Sequence, residues 1–506
     1  MTYREETAMT EYDVLVVGAG TAGSIVGRRL ADAGRTVAIL EAGGTNRDDA
    51  VQDVSRLLQL WHTEKDWDYF TVPQQHAAGR RLHLPRGKVL GGSHSLNAAI
   101  WVRCAPQDFD GWAAEGCTGW SWADVEPVYR RIEDWHGDAD PARGTDGPLP
   151  VAPNEPLHPV QQSILKAAGQ AGLPVNADYN VGPLDGIAVQ QVTVAGGERI
   201  TTWDAYAAPA VAEGRLTLLT GALVHRVLFD GARATGVELA DGQVLTAGTV
   251  VLSAGAEGSA EILLRSGVGP AEHLTDVGID VVADLPVGEN LHDHWLVPVI
   301  FSTGREVEPP APQRSVTQTH WFWRSSPDLD VPDTQPITFS VPMLEPDMEP
   351  IPWGFTLAAG VVATKSRGTV RLASADPADG LLIDPQVLSD ERDVAALLAS
   401  VKQCLEVAAQ PALAEDWKAR PHYPSAGLSD EDLVAYVRQR VITYHHQVGT
   451  CRMGTDERAV VDPTLRVRGL DGLVVADASI MPTVTTGNTN APAAVIGEKA
   501  ADFLIS

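Results

Sequence analysis

The feature that most constrains the fold is a glycine turn between an apolar strand and a helix near the start of the chain. Residues 12–17 (YDVLVV) predict a buried parallel strand, and the GAGTAG turn at 18–23 follows directly. A helix is predicted over 22–33 and a second strand over 36–40, which ends at Glu41. This order of strand, turn, helix, strand and acid is typical of a dinucleotide-binding βαβ unit.

Each part of this unit has its own role in holding a dinucleotide. The glycines give a tight turn, let the backbone approach a pyrophosphate and allow close packing of the helix, whose N-terminus attracts phosphate. Glu41, 23 positions after Gly18, can accept hydrogen bonds from ribose hydroxyls. An acid at this position disfavours the 2′-phosphate of NADP, which leaves NAD or FAD.

Composition limits the organisation and the partners. The 506 residues exceed one ordinary core, so two or more modules or one large elaborated domain are expected. The formal charge of −28 opposes binding to nucleic acid or to an anionic membrane. The polar residues 1–11 lack the pattern of a secretory signal, so we expect a cytoplasmic protein. The four cysteines form no CxxC pair, and we expect them to be reduced thiols.

A second glycine loop lies at 84–97 (LPRGKVLGGSHSLN). Its adjacent glycines predict a turn that lets the backbone approach a ligand, and the chain is expected to enter an apolar helix at about Leu96. The tryptophan-rich stretch 101–135 that follows is interpreted as a packed helical cap.

The middle of the chain predicts two further sheets or parts of sheets. Strands are predicted at 216–219, 223–229, 234–239 and 243–246, with Asp-Gly turns at 230–231 and 241–242, which indicates a β-meander. Residues 249–256 (TVVLSAGA) return to a buried strand ending in glycine, so the first sheet is expected to resume there. We interpret 296–440 as a substrate module built on a sheet with covering helices.

The C-terminal part carries the candidate chemistry. Adjacent histidines occur in 443–454 (TYHHQVGTCRMG), Asp477 ends a buried strand, and Asn490 lies in TGNTNAP at 486–492. Histidine suits proton transfer because its ordinary pKa of about 6.5 lies near neutrality. An asparagine amide can donate a hydrogen bond to an oxygen on which negative charge develops.

Taken in order, these motifs resemble those of the glucose–methanol–choline (GMC) oxidoreductases, flavoenzymes that act on alcohols. The resemblance covers nearly the whole chain. It is strongest to choline dehydrogenases and hydroxymethylfurfural or pyridoxine oxidases, since Asn490 stands where glucose oxidase-like members have a second histidine. The matching stretches are 18–23 with Glu41, 86–97, 251–256, 267–270, 287–294, 446–451 and 475–490.

The resemblance implies an α/β chain, α+β overall, with FAD rather than NAD as cofactor. A Rossmann-like FAD-binding domain would be assembled from the discontinuous segments 11–155, 213–297 and 446–506. A substrate domain, with a mainly antiparallel sheet covered by helices, would comprise 156–212 and 298–445.

The resemblance also implies the site residues. His446 and Asn490 are expected to be catalytic, and His445 is a candidate substrate contact. The histidine that attaches FAD covalently in choline oxidase-like enzymes aligns with Leu96, and His94 lies two residues earlier, so we expect non-covalent FAD. The cofactor-binding candidates are Gly18, Gly20, Thr21, Ala22, Glu41, Ala42, Arg86, Gly91, Gly92, Ser93, Asn97, Ala98, Val224, Ala254, Gly255, Asp477, Ala478, Asn488 and Thr489.

The function implied is oxidation of a primary alcohol, with onward oxidation of the aldehyde hydrate left open. His446 would take the hydroxyl proton while hydride passes to flavin N5, and an oxidase producing hydrogen peroxide is expected. A dehydrogenase with another small electron acceptor, a non-redox hydroxynitrile lyase-like member and a flavin-binding scaffold or sensor are the alternatives. The stretch His292-Asp293-His294 is interpreted as structural, and no metal is expected. The alcohol and the oligomeric state stay open.

Overall fold

The computed structural model describes residues 11–506. Residues 1–10, and with them most of the segment from which the absence of a secretory signal was expected, lie outside the described residues. Between residues 11 and 506, no helix combines the length and the apolar character needed to cross a membrane.

The strands of the described chain are mostly short. They are β1 Glu11–Val17, β2 Val37–Glu41, β3 Tyr69–Phe70, β4 His83–Leu84, β5 Glu133–Trp135, β6 Leu149–Pro153, β7 Gly186–Val189, β8 Gln191–Val192, β9 Val194–Ala195, β10 Glu198–Arg199, β11 Thr217–Thr220, β12 Val224–Asp230, β13 Arg233–Leu239, β14 Val244–Leu252, β15 Val268–Gly269, β16 Ala283–Asp284, β17 Trp295–Ser302, β18 Thr319–Phe322, β19 Ile337–Phe339, β20 Gly354–Val361, β21 Thr369–Leu372, β22 Leu381–Asp384, β23 Arg420–Tyr423, β24 Ile442–Thr443 and β25 Leu473–Val475.

The helices lie between and around these strands. They are α1 Thr21–Asp32, α2 Asp49–Gln52, α3 Pro106–Ala114, α4 Trp122–Ile132, α5 Pro159–Gln170, α6 Ala208–Ala212, α7 Gly255–Arg265, α8 Ala271–Asp276, α9 Glu391–Ala408, α10 Pro411–Ala414, α11 Asp430–Arg440 and α12 Asn490–Ile505. Short 3₁₀ turns occur at Val54–Gln59, Gln75–Ala77, Gly92–Ser95 and Ala478–Ile480, and a π turn at Trp203–Ala207.

The first sheet gathers strands that are far apart in the sequence. Its order is β11-β2-β1-β14-β13-β12, and β25 pairs with the end of β14. The strands β11, β2, β1, β14 and β25 are parallel, whereas β12 and β13 form an antiparallel hairpin beside β14. The prediction of a discontinuous Rossmann-like sheet is therefore confirmed.

The register of this sheet brings its loops to one edge. Val17 is paired with both Leu40 and Leu252, and Leu252 is paired with Val475. The next residue of each strand consequently lies at the same carboxyl edge, where open parallel sheets bind their ligands. These next residues are Gly18, Glu41, Ser253 and Ala476, and Asp477 follows Ala476 directly.

The predicted β-meander is wrong in two respects. Strand β11 pairs in parallel with β2 rather than with β12, because Thr217–Thr220 extends the edge of the Rossmann-like sheet. The two strands predicted at 243–246 and 249–256 form one strand, β14, whose first half pairs with β13 and whose second half pairs with β25. A single strand serves both the hairpin and the parallel sheet.

The second sheet is antiparallel, as expected for the substrate module. Its order is β23-β17-β20-β19-β18-β7, with β24 paired to β17. Ile164 of α5, Leu397 of α9 and Val437 of α11 share a buried cluster with Trp295 and Phe355 of the sheet, so helices cover this face. Because side chains alternate along a strand, the residues next to these point to the other face. That face meets the cavity described below.

Two local expectations need correction. The predicted helix at Leu96 is absent from the described chain: a 3₁₀ turn ends at Ser95, and the next helix begins at Pro106. The side chain of Asn97 accepts a hydrogen bond from the backbone of Ala99 at 2.8 Å, which favours a turn over a helix. Strand β17 begins at Trp295, inside the segment 213–297 assigned to the FAD-binding domain; the division into domains otherwise stays a prediction.

Candidate active site

A cavity extends from the carboxyl edge of the first sheet to the inner face of the second sheet. Its lining includes Gly18 and Glu41 at one end and Leu296, Ile337 and Tyr444 at the other. Both sheets therefore contribute walls to one continuous site.

Gly18 of the first glycine turn and Gly92 of the second glycine loop have no room for a side chain. A Cβ on Gly18 would lie 2.5 Å from the carbonyl oxygen of Ser253, and one on Gly92 would lie 2.9 Å from Cα of Gly20. The second glycine loop is thus packed directly against the first. This contact places the loop at 91–93 beside the N-terminus of α1, where backbone N–H groups favour an anion.

Glu41 is anchored before any ligand binds. Its Oε2 accepts from the backbone N–H of Ala19 at 2.9 Å and its Oε1 from that of Gly43 at 2.8 Å. Burial raises the pKa of Glu41 to about 7, although these two hydrogen bonds oppose the shift. Each carboxylate oxygen keeps a second lone pair that a ribose hydroxyl can use.

The cavity also holds buried donors that have no protein partner. Arg86 donates from Nη1 to the carbonyl oxygen of His445 at 2.9 Å and lies 3.3 Å from Glu257 through Nε, while its Nη2 is buried without a partner. The Nδ2 of Asn490 is likewise buried and unpartnered. Buried donors are normally satisfied, so these two fit a ligand rich in acceptors, such as the phosphates and flavin carbonyls of FAD.

Asp477 lies at the cavity wall, but its carboxylate already has several donors. It accepts from Ser479 N at 2.8 Å, Gly255 N at 2.9 Å and Ser259 Oγ at 2.5 Å. Burial raises the pKa of Asp477 against the effect of these hydrogen bonds. Its contact with the ribityl-phosphate part of FAD stays a prediction.

Of the nineteen cofactor-binding candidates, all but Gly91 line the cavity. Gly91 supports the loop from behind: its φ is +88°, and its N–H donates to the carbonyl of Ala19 at 2.9 Å. Other lining residues carry no local signal in the sequence, because they come from separate loops and strands. They include Leu57, Trp61, Trp67, Tyr69, Glu257, Phe339, Met343 and Ile442.

The surroundings of His94 support non-covalent FAD. His94 does not line the cavity, and both its ring nitrogens are used: Nε2 lies 2.9 Å from Thr193 Oγ1, and Nδ1 accepts from Thr202 N at 3.3 Å. Leu96, at the position of the attaching histidine, does line the cavity. No nucleophilic nitrogen of these two residues therefore faces the cofactor site.

His446 is held on all sides. Its Nδ1 lies 2.9 Å from Nδ1 of His294, its Nε2 lies 3.3 Å from Nδ2 of Asn488, and its ring stacks on Tyr444 with centroids 4.8 Å apart. Burial, reinforced by His294 and His445, lowers the pKa of His446 well below 6.5. The imidazole is consequently neutral at neutral pH and can accept a proton.

The stretch His292-Asp293-His294 holds the loop at 443–447, which carries His445 and His446. Asp293 Oδ1 accepts from the backbone N–H of both His294 and His446 at 2.8 Å, and its Oδ2 accepts from Gln447 Nε2 at 2.5 Å. Burial raises the pKa of Asp293 to about 6. His292 uses both ring nitrogens on backbone atoms, Asn290 O at 2.6 Å and Val484 N at 2.8 Å.

The two asparagines of the segment 486–492 both line the cavity but make different contacts. Asn490 is the first residue of α12, and its Oδ1 accepts from Thr21 Oγ1 at 2.7 Å, beside the start of α1. The amide that contacts the ring of His446 belongs to Asn488. The bond from Thr21 leaves Nδ2 of Asn490 as a buried donor without a protein partner, and the catalytic role expected for Asn490 stays a prediction.

His445 lines the cavity from a different direction. Its φ is +68°, and its ring packs edge-on against Trp61 at 5.2 Å. Burial, with a contribution from Arg86, lowers the pKa of His445 to about 3, and its Nδ1 is buried without a partner. Contact with substrate stays a prediction for this residue.

One group in the described chain has the spacing of a metal site, and it is not the stretch 292–294. His62 Nδ1, Asp68 Oδ1 and His83 Nε2 lie within 4.8 Å of one another near the surface. His62 and Asp68 are 2.6 Å apart and His83 is 3.1 Å from Asp68, so hydrogen bonds within the group account for its geometry.

Fold and site together define an oxidoreductase that binds a dinucleotide against a Rossmann-like sheet and places a neutral histidine and an amide in the adjoining pocket. Two family models described as GMC oxidoreductase match residues 12–296 and 364–497. An uncharacterised GMC-type oxidoreductase from Mycobacterium bovis is 40% identical over 98% of this chain and 100% of its own length.

Solved structures agree with this assignment. Pyridoxine 4-oxidase from Mesorbium loti has a TM-score of 0.93 at 31% identity, covering 97% of this chain and 98% of that chain. A formate oxidase of Aspergillus oryzae, described for modification of its FAD, has a TM-score of 0.89 at 25% identity, covering 98% of both chains. The chain belongs to the GMC oxidoreductase family. It is an FAD enzyme of the class that acts on CH–OH donors, which confirms the resemblance.

Proposed function

We propose that the protein oxidises a primary alcohol to the aldehyde, with His446 as the base and Asn490 as the donor to the alcohol oxygen. The observation that carries this proposal is that a neutral imidazole and a buried amide Nδ2 without a protein partner line the same cavity. Bound FAD supplies the hydride acceptor at flavin N5.

The protein groups divide the work on the hydroxyl. His446 Nε2 accepts the hydroxyl proton, which a positioned base makes about 10²- to 10⁴-fold faster. Asn490, whose Oδ1 accepts from Thr21 Oγ1, donates from Nδ2 to the oxygen as negative charge develops on it. Asp293 holds the backbone of His446, and His294 faces the opposite ring nitrogen, so the base cannot turn away from the cavity.

The cavity wall around His446 favours a neutral, apolar alcohol. Its lining residues from this region belong to one hydrophobic cluster that includes Tyr444, the residue stacked on His446. They are Leu57, Ile100, Leu296, Ile337, Phe339, Met343, Ile442 and Tyr444. Burying each substrate methylene here contributes about 0.8 kcal/mol, or roughly a fourfold gain in kcat/KM.

A cationic alcohol such as choline lacks a counterion in this wall. The carboxylates that line the cavity are Glu41, Glu257, Glu261 and Asp477. Glu257 is paired with Arg86 at 3.3 Å and Glu261 with Arg265 at 2.9 Å, and the other two accept backbone N–H groups. We therefore propose aliphatic and aromatic alcohols ahead of quaternary ammonium alcohols.

The test is an alcohol panel in air that follows hydrogen peroxide and flavin colour together. A straight-chain series and benzyl alcohol should bleach the flavin, with kcat/KM rising along the chain and choline far below. Peroxide in step with turnover would show an oxidase, and bleaching without peroxide a dehydrogenase with another acceptor. Choline as the best substrate would contradict the apolar class, and a flavin that no alcohol bleaches would contradict the reaction.

A further inference from the structure

The side chains of His62, Asp68 and His83 meet on the outer side of the turn at 61–69. His62 Nδ1 lies 2.6 Å from Asp68 Oδ1, and His83 Nε2 lies 3.1 Å from the same oxygen. The two imidazole rings stack with their centroids 4.0 Å apart. Two ring nitrogens and one carboxylate oxygen are therefore gathered around a single point that solvent can reach.

Hydrogen bonds assemble this group in advance, and a buried carboxylate sets its shape. Asp66 Oδ2 accepts from the backbone N–H of His62 at 3.1 Å and lies 3.1 Å from Nε2 of His83. Its Oδ1 accepts from the backbone N–H of Asp68 at 3.0 Å and from that of Arg86 at 2.9 Å. One anchored side chain thus fixes the position of all three members of the group.

The backbone at two members of the group is unusual. The φ of His62 is +58° and that of Asp68 is +54°. Histidine and aspartate tolerate this left-handed region better than most residues, but residues other than glycine adopt it rarely. Such conformations persist where the surrounding structure holds them, and they are common at sites that clamp a ligand.

The spacing of the three atoms is close to that of zinc ligands. Bonds of about 2.0–2.1 Å in a tetrahedral site place neighbouring ligand atoms about 3.3 Å apart. The two measured separations, 2.6 and 3.1 Å, need only small side-chain rotations to reach this value. A ring nitrogen that donates to Asp68 becomes a ligand when the neutral ring carries its proton on the other nitrogen.

We propose that His62 Nδ1, His83 Nε2 and Asp68 Oδ1 bind a zinc ion, with water in the fourth position. Two imidazoles and one carboxylate suit zinc, whereas calcium and magnesium prefer sets of oxygen ligands. The carboxylates of Asp68 and Asp66 bring negative charge to the ion. No sequence pattern marks the site, because its members are 6 and 15 positions apart along the chain.

The site lies behind a wall of the cavity. Trp61 and Trp67, which directly precede His62 and Asp68, both line the cavity, and Trp61 packs edge-on against His445 at 5.2 Å. A bound ion would tie both ends of the turn at 61–69 to strand β4, which begins at His83. Zinc would therefore stiffen this wall and take no part in the oxidation.

The chain offers a matched control in a second histidine–aspartate pair. His136 Nε2 lies 2.8 Å from Asp134 Oδ2, and the two side chains are 55% and 36% exposed. The corresponding values for His62 and Asp68 are 58% and 47%. Among the described residues, no further histidine, cysteine or carboxylate completes a metal-ligand group with His136.

The experiment strips the holoenzyme of metal with EDTA and titrates it with Zn²⁺ by calorimetry and with Co²⁺ by absorbance beyond the flavin bands. We expect one Zn²⁺ per chain with a Kd below about 0.1 mM, and the absorbance of four-coordinate Co²⁺. His62→Ala, His83→Ala and Asp68→Asn should each weaken binding about 100-fold, and His136→Ala should bind like the wild type. Zn²⁺ should raise the melting temperature of the wild type but not that of Asp68→Asn.

A wild type that shows no saturable binding below about 0.1 mM would overturn the site, and so would unchanged binding in His62→Ala and Asp68→Asn. Equal weakening in His136→Ala would show that Zn²⁺ collects on any exposed histidine–aspartate pair, which also overturns it. Flavin content and melting temperature identify a variant that fails to fold. Asp68→Asn then decides, because asparagine keeps the shape of the side chain. None of these measurements depends on turnover of an alcohol.

Discussion

Replacing Asn490 and Asn488 in turn tests which amide of one short motif acts on the alcohol. Asn490 Nδ2 is buried without a protein partner and its Oδ1 accepts from Thr21 Oγ1 at 2.7 Å, whereas Asn488 Nδ2 lies 3.3 Å from His446 Nε2. Asn490→Ala removes a donor to the developing alkoxide, which costs about 10²- to 10³-fold in kcat. Asn488→Ala removes one hydrogen bond to the imidazole, about 1 kcal/mol, or roughly a fivefold loss in kcat.

The assay measures kcat per bound flavin in saturating FAD and the Kd of FAD by fluorescence. Asn490→Ala should bind FAD and turn over slowly, and Asn488→Ala should keep most of the wild-type rate per flavin. The opposite pattern, with turnover per flavin lost in Asn488→Ala and kept in Asn490→Ala, would refute the proposed role of Asn490.

Three further predictions concern the cofactor site and stability. Glu41→Gln places an amide against backbone N–H groups, so the Kd of FAD should rise about tenfold in a fluorescence titration, whereas an unchanged Kd would remove Glu41 from the site. Gly92 has a φ of +55°, and Gly92→Ala would put a Cβ 2.9 Å from Cα of Gly20. We expect the free energy of unfolding to fall by about 1–3 kcal/mol and the flavin content to fall with it, whereas a purified variant with full flavin content would contradict the contact. Burial lowers the pKa of His94 to about 3, so the unfolded chain binds more protons below pH 6.5 and stability falls as pH falls. His94→Gln should remove about 2 kcal/mol of the destabilisation seen in denaturation curves between pH 7 and 5, and equal pH dependence in both proteins would contradict it.

The sequence predicted the parts of the fold that depend on local pattern. The strand, turn, helix and acid around Gly18 are as expected, because each has a local physical requirement and the elements are adjacent in the chain. The discontinuous sheet followed from a second buried strand that ends in glycine. The error at β11 arose because hairpin signals show where strands end and not which distant strand they join.

The candidate site was predicted by motif, and the geometry adds what the motif does not show. His446 and nearly all cofactor candidates line the cavity, since they belong to short segments at the carboxyl edge of one sheet. The sequence does not show that Asn488 contacts the ring of His446, because that contact depends on where α12 starts. The apolar wall that includes Ile337, Phe339 and Met343 carries no local signal, because these residues lie more than 100 positions before the two histidines.

The most direct test of the central claim is anaerobic reduction of the flavin by an alcohol in His446→Ala, with His445→Ala as the neighbouring control. Rapid-mixing absorbance should show that His446→Ala keeps its yellow FAD but bleaches about 10²- to 10⁴-fold more slowly than the wild type. His445→Ala should change the alcohol concentration that gives half-maximal bleaching more than it changes the limiting rate of bleaching. Bleaching of His446→Ala at the wild-type rate would contradict the assignment of His446 as the base.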